Sequence, residues 1–180
     1  MTFQKGDTSK VHIYTLALFF LSYIFGFIYG FSIGTEGLST EGLVNEKIRE
    51  IDSLYNKNNF DRAIYILHNN SIVCLKIFFL GVFSLGLISL VLIFFNAYVL
   101  GLFFGTLSQT YPLRELVAAV LPHSPEIIGI VLSGYISLSI STFIILNKRL
   151  IGLKTTAYLS ALIIFFIIIS AFIESYVSMQ

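Results

Sequence analysis

SIVCLKIFFLGVFSLGLISLVLIFFNAYVLGLFFGTL, residues Ser71 to Leu107, holds a single charge, Lys76, in 37 residues. As one helix it would be about 55 Å long at ~1.5 Å per residue, against a bilayer hydrocarbon core of about 30 Å. It therefore has to turn back on itself. The bend falls in Gly81-Val82-Phe83-Ser84-Leu85-Gly86, because glycine is the weakest helix former after proline. The reading is a helical hairpin, with one span over about 63–81 and the next over 86–107.

Working outward, Val11 to Gly34 is a second kind of evidence: 24 residues without a charge, enough to cross the bilayer. A signal peptide is the rival reading, but the apolar stretch exceeds the usual h-region of about 7–15 residues and no A-x-A-like site follows it. Between this span and the hairpin, Thr35 to Arg62 carries ten charged residues, with Val44, Ile48, Ile51 and Tyr55 at three- and four-residue steps. That pattern predicts an amphipathic helix over about 41–56, lying in the headgroup plane or capping the bundle. Beyond the hairpin, Ser108 to His123 is a polar connection with room for a short helix at Leu113 to Val120. Ser124-Pro125-Glu126 reads as a helix start, with serine as N-cap, proline at the first position and an acid in the positive first turn. The fourth span is expected over 126–146, and after the basic loop Asn147 to Lys154 the fifth covers 157–177.

The whole chain fits this picture. Of its 180 residues 56% are hydrophobic and 12% charged, about half the charge of a soluble domain, and the mean hydropathy is +0.87. Five spans use about 100 residues, which leaves no room for a separate catalytic domain: the expectation is one all-α integral membrane domain over 1–180. A net charge of +1 provides no basic stripe for nucleic acid, and the single cysteine, Cys74, excludes intrachain disulfides and Cys-rich metal motifs. Orientation rests on Lys and Arg in short loops. Lys5, Lys10, Lys148, Arg149 and Lys154 are dense and close to the spans; Lys47, Arg49, Lys57, Arg62 and Arg114 are spread over a longer stretch. The N-terminus is therefore expected in the cytoplasm and the C-terminus outside, in the cell membrane.

That topology sorts the rare polar residues by depth. His68, Asn69 and Asn70 enter the second span from outside, and His123 and Glu126 open the fourth. Glu174 lies about 25 Å into the fifth span and so returns to the outer side, while Asn96, about 15 Å into the third, lies near the midplane. Ionisable groups in a bilayer cost at least ~2.5 kcal/mol each unless paired, and amides there also seek partners, so His68, Asn70, Asn96, His123, Glu126 and Glu174 form the candidate polar cluster. Each also has a plainer reading. Glu126 can answer the helix dipole, His123 can sit among headgroups, Glu174 can reach water, and Asn96 can bind neighbouring helices through its amide. Gly26, Gly30 and Gly34 line one face of the first span, and Gly101 and Gly105 one face of the third; such faces let helices approach closely. Cys74 reads as a small buried hydrophobe and Lys76 as a snorkelling or inward-facing cation.

No His-Glu-x-x-His, Gly-x-Ser-x-Gly, Walker A or Gly-x-Gly-x-x-Gly sequence is present. His123-x-x-Glu126 with His68 and Glu174 could ligate a divalent cation through nitrogen and oxygen, on a spacing common by chance.

Four ordered motifs carry a resemblance. His68-Asn69-Asn70, Asn96-Ala97-Tyr98-Val99-Leu100-Gly101, Leu121-Pro122-His123-Ser124-Pro125-Glu126-Ile127 and Ala171-Phe172-Ile173-Glu174-Ser175-Tyr176 together resemble the stage II sporulation protein M family, over nearly the whole chain. Ala97 and Ser124 stand where glycine is expected in that family. The resemblance implies a polytopic membrane protein that acts in spore formers as a scaffold for peptidoglycan-remodelling enzymes, with members also in organisms that never sporulate. It implies no catalytic activity and no cofactor. The leading expectation is a non-enzymatic scaffold whose partners are the lipid bilayer and other membrane or cell-envelope proteins, with a homo-oligomer left open. The alternative is a small transporter or channel component that uses the polar cluster for a cation or proton.

Overall fold

The computed structural model describes residues 5–36, 49, 57–147 and 150–178, and every regular element in them is helical. The elements are α1 (Lys5–Thr35), α2 (Asn59–Phe83), α3 (Leu87–Leu107), α4 (Leu113–Val120), a 3-10 turn (Leu121–His123), α5 (Ser124–Leu146), α6 (Leu153–Ile173) and a closing π-helical turn (Glu174–Ser178). Five of the helices are long and apolar enough to cross a membrane. The chain is an all-α, multi-pass membrane bundle. The amphipathic segment expected over 41–56 lies, apart from Arg49, outside the described residues.

Local chemistry explains where the helices begin and turn. α2 starts at Asn59, four residues before the expected span, because the Asn58 side chain accepts a hydrogen bond from the Asp61 amide at 2.8 Å and so caps the first turn. The hairpin bend falls at Ser84-Leu85-Gly86. Leu85 (φ 52°) and Gly86 (φ 79°) both adopt left-handed backbone, and the Gly86 amide donates to the Gly81 carbonyl at 2.9 Å. α4 lies where the sequence left room for it, after Pro112. The start of α5 differs in detail from expectation: the N-cap is His123, at the end of the 3-10 turn, and Ser124 is already helical. Its hydroxyl donates back to the Leu121 carbonyl at 2.7 Å instead of capping.

The bundle consists of a pair and a trio. α3 runs parallel to the second half of α1 in close contact with it, whereas α2, α5 and α6 gather as a second group in which α5 is central. α5 is the most deeply buried of the spans. The two groups share a core of Phe19 and Tyr23 from α1, Cys74 and Ile77 from α2, Ile93 and Ala97 from α3, Ile130, Val131, Tyr135 and Ile136 from α5, and Ile167 from α6. Outward faces carry large apolar side chains such as Phe25, Phe79, Phe95, Ile144 and Ile164, which suits a lipid solvent.

The pair is made possible by glycine. A Cβ on Gly26, Gly30 or Gly34 would be driven into the backbone carbonyl of Phe94, Tyr98 or Leu102, and one on Gly101 or Gly105 into the carbonyl of Phe27 or Phe31. The two backbones touch where side chains would normally stand. Ser22 donates to the Leu90 carbonyl at 2.9 Å near one end, and Gln109 donates to the carbonyls of Gly34 (3.2 Å) and Thr35 (2.9 Å) at the other.

Candidate functional site

The candidate site occupies the end of the trio where α2 and α5 begin and α6 finishes. Its members arrive by three local devices. Asn70 stands three turns into α2, on the face that Arg62, Ala63, Ile66, Cys74 and Ile77 also bury. The 3-10 turn presents His123, and the first turn of α5 presents Glu126, three residues on and therefore on the same side. Glu174 sits where α6 passes into the π-helical turn, a widening that re-aims the last side chains of the helix.

These groups meet. The Asn70 amide donates to a Glu126 carboxylate oxygen at 2.6 Å, and Glu126 is only 9% exposed. His123 Nδ1 lies 3.3 Å from Glu174 Oε2. A ring nitrogen of His123 and one carboxylate oxygen each from Glu126 and Glu174 lie within 4.8 Å of one another. The backbone beside both ends is tied as well: Ser170 donates to the Pro122 carbonyl at 3.2 Å, next to His123, and Ser175 donates to the Asn59 carbonyl, next to Glu174. In a low-dielectric environment a carboxylate held by an amide and a carboxylate held by an imidazole are strong interactions, because the alternative is an unsatisfied charge in hydrocarbon.

Two sequence candidates stand apart from this constellation. His68 is exposed, two residues before Asn70 and so about 200° round the helix from it. Asn96 is half-buried on α3, where its neighbour Ala97 takes the core position, and it makes no hydrogen bond to the cluster among the described residues. Lys76 is exposed. Cys74 is buried.

Other polar groups escaped the sequence reading. Tyr23 is 5% exposed, lies within electrostatic reach of Glu126, and has a hydroxyl without a hydrogen-bond partner among the described residues. Deeper along α5, Ser137 pairs with Ser89 at 2.9 Å, and Ser89 also donates to the Ile77 carbonyl at 2.7 Å. Midway along α5 the Tyr135 hydroxyl meets His12 Nδ1, from the first turns of α1, at 2.7 Å. The serines had a signal: Glu126, Ser133, Ser137 and Ser141 follow at steps of seven, four and four, which is one face of a helix. Tyr23 and His12 had none, since a tyrosine in a span and a histidine near its end are both commonplace.

The model of the stage II sporulation protein M family matches residues 15–179. The chain is also 32% identical over 179 residues to a protein of Methanocaldococcus jannaschii described as uncharacterized protein MJ0793, covering 92% of each chain. No solved structure matches it. The chain belongs to the stage II sporulation protein M family.

Proposed function

We propose that this member of the stage II sporulation protein M family is a non-enzymatic scaffold that positions partner proteins in the cell membrane, with its polar cluster at the outer end. One observation carries the reading: the polar side chains at that end are spent on each other. Asn70 holds Glu126, His123 holds Glu174, and Ser170 and Ser175 hold the backbone between helices. Such closure fixes α2, α5 and α6 relative to one another, which is what a docking platform requires. A transport path would need the same groups to face a wet route leading to Asn96 and onward, and Asn96 stands apart from them.

The surface at this end also suits contact with another protein. Tyr111, Val117 and Leu121 are 50%, 49% and 66% exposed around α4, beside Arg114 and Glu115, so apolar and charged groups alternate at membrane-interface level. A photocrosslinking residue at Val117 or Leu121, used in native membranes, is expected to give discrete protein adducts, and the same residue at Ile164 on the lipid face to give none. Lipid adducts alone at all three positions would contradict the scaffold. The orientation has its own test. With Cys74 replaced, a cysteine at the exposed Asn147 should react with a membrane-impermeant thiol reagent only from the cytoplasmic side; labelling from outside would place the cluster at the inner face.

A further inference from the structure

We propose that His123, Glu126 and Glu174 bind a divalent transition-metal ion of the Zn2+ type, which clamps the start of α5 to the end of α6. The proposal goes beyond the scaffold reading and can fail independently of it. The donor set comes first. One imidazole nitrogen with two carboxylate oxygens suits Zn2+ or Mn2+ and does not call for the soft thiolate of Cys74. The two carboxylates together match the charge of a divalent ion.

Spacing comes second. Ligands at about 2.0–2.1 Å from a tetrahedral Zn2+ stand about 3.3–3.4 Å apart, and His123 Nδ1 is 3.3 Å from Glu174 Oε2. With Glu126 included, one donor atom from each of the three residues lies within 4.8 Å of the others, a gap that a modest side-chain rotation closes. The frame is rigid on each side, because the Pro122 carbonyl beside His123 and the Asn59 carbonyl bonded by Ser175 are fixed by α6 serines or the turn that follows them. Asn70 orients the Glu126 carboxylate at 2.6 Å, as outer-shell partners of metal ligands do.

An independent observation points to a ligand on Glu126. Tyr23, on the neighbouring α1, is only 5% exposed and within electrostatic reach of that carboxylate, and its hydroxyl finds no hydrogen-bond partner among the described residues. A buried hydroxyl of this kind is ordinarily satisfied, and a water completing the coordination of a bound ion would supply its partner.

The test uses the full chain, without any affinity tag, in detergent after chelator treatment, titrated with Zn2+ alone. One ion per chain is expected, with a thermal midpoint that climbs as Zn2+ is raised. His123→Ala and Glu174→Gln should each weaken binding by about 100-fold or more and Asn70→Ala by about 10-fold, while the exposed His68→Ala leaves it unchanged. Because loss of binding could reflect misfolding, a gain is measured too. His123→Cys titrated with Co2+ should add a thiolate-to-metal charge-transfer absorption that the wild-type chain, with only Cys74, lacks. Absence of Zn2+ binding in the wild-type chain, binding that survives both His123→Ala and Glu174→Gln, or no new absorption in a folded His123→Cys protein would each overturn the proposal.

Discussion

The α1–α3 pair and the α2–α5–α6 trio solve the same problem by opposite means. Inside a bilayer no hydrophobic force drives helices together, since lipid tails are as apolar as leucine. The pair answers by removing side chains: five glycines on two faces bring backbone against backbone, and dispersion over a long seam does the rest. Rings at its edge, such as Tyr29 and Tyr98 with centroids 5.8 Å apart, cover the seam. The trio answers by spending polar groups across helices, Asn70 on Glu126 and His123 on Glu174. Packing of the first kind is non-specific in chemistry and unforgiving in shape. Bonding of the second kind tolerates shape but requires every partner. A rigid pair beside a chemically defined end suits the scaffold proposed above.

If that contrast is right, size should wreck the pair and chemistry the trio. Gly30→Leu is expected to have the largest effect, because the new side chain meets the carbonyl of Tyr98 and the amide of Leu102, and backbone cannot step aside. Thermal unfolding in detergent should show a loss at or above the ~1–3 kcal/mol of ordinary overpacking. Gly152→Leu, at a glycine with nothing within 4 Å of its missing Cβ, should stay within about 0.5 kcal/mol of wild type. Equal losses at the two sites would end the close-approach argument.

In the trio the corresponding experiment is a double-mutant cycle. Asn70→Ala and Glu126→Ala should each cost about 1–3 kcal/mol, through the buried partner left behind. The pair should couple by about 1 kcal/mol, in the range for polar contacts between membrane helices. Strict additivity would mean that the 2.6 Å contact carries no energy.

The smallest effect is expected at the seam between the two groups. Gly81→Ala sets a methyl against the Ser89 hydroxyl and the Ser137 hydroxyl and Cβ, side-chain atoms of which the two hydroxyls can rotate where a backbone carbonyl cannot. The loss should therefore be less than for Gly30→Leu, and Ser137→Ala in the same chain should recover part of it. No recovery would show that the clash is borne by the backbone.

The sequence announced the pair more fully than the trio, and for a physical reason. A glycine repeated every four residues has one meaning whatever it faces, so Gly26, Gly30 and Gly34 read as one contact face, and Gly101 and Gly105 as another, from their spacing alone. The hairpin was equally visible, because 37 nearly uncharged residues cannot form one span. The polar cluster needed something that composition does not hold, the rotation of each helix. His68, Asn69 and Asn70 are consecutive and so point in three directions about 100° apart; only Asn70 faces the bundle, and nothing in the triplet says which. Asn96 loses the inward position to Ala97 for the same reason. The π-helical turn that aims Glu174 depends on packing at the end of α6 and has no residue signature of its own.

The most direct test of the account is flux through the purified chain reconstituted into liposomes, read with a proton-sensitive and a divalent-cation-sensitive dye. A platform whose polar groups are bonded to each other predicts no transport above protein-free vesicles, in the wild-type chain and in Glu174→Gln alike. Robust proton or cation flux that Glu174→Gln abolishes, with the fold intact, would contradict it and make the cluster part of a transport path.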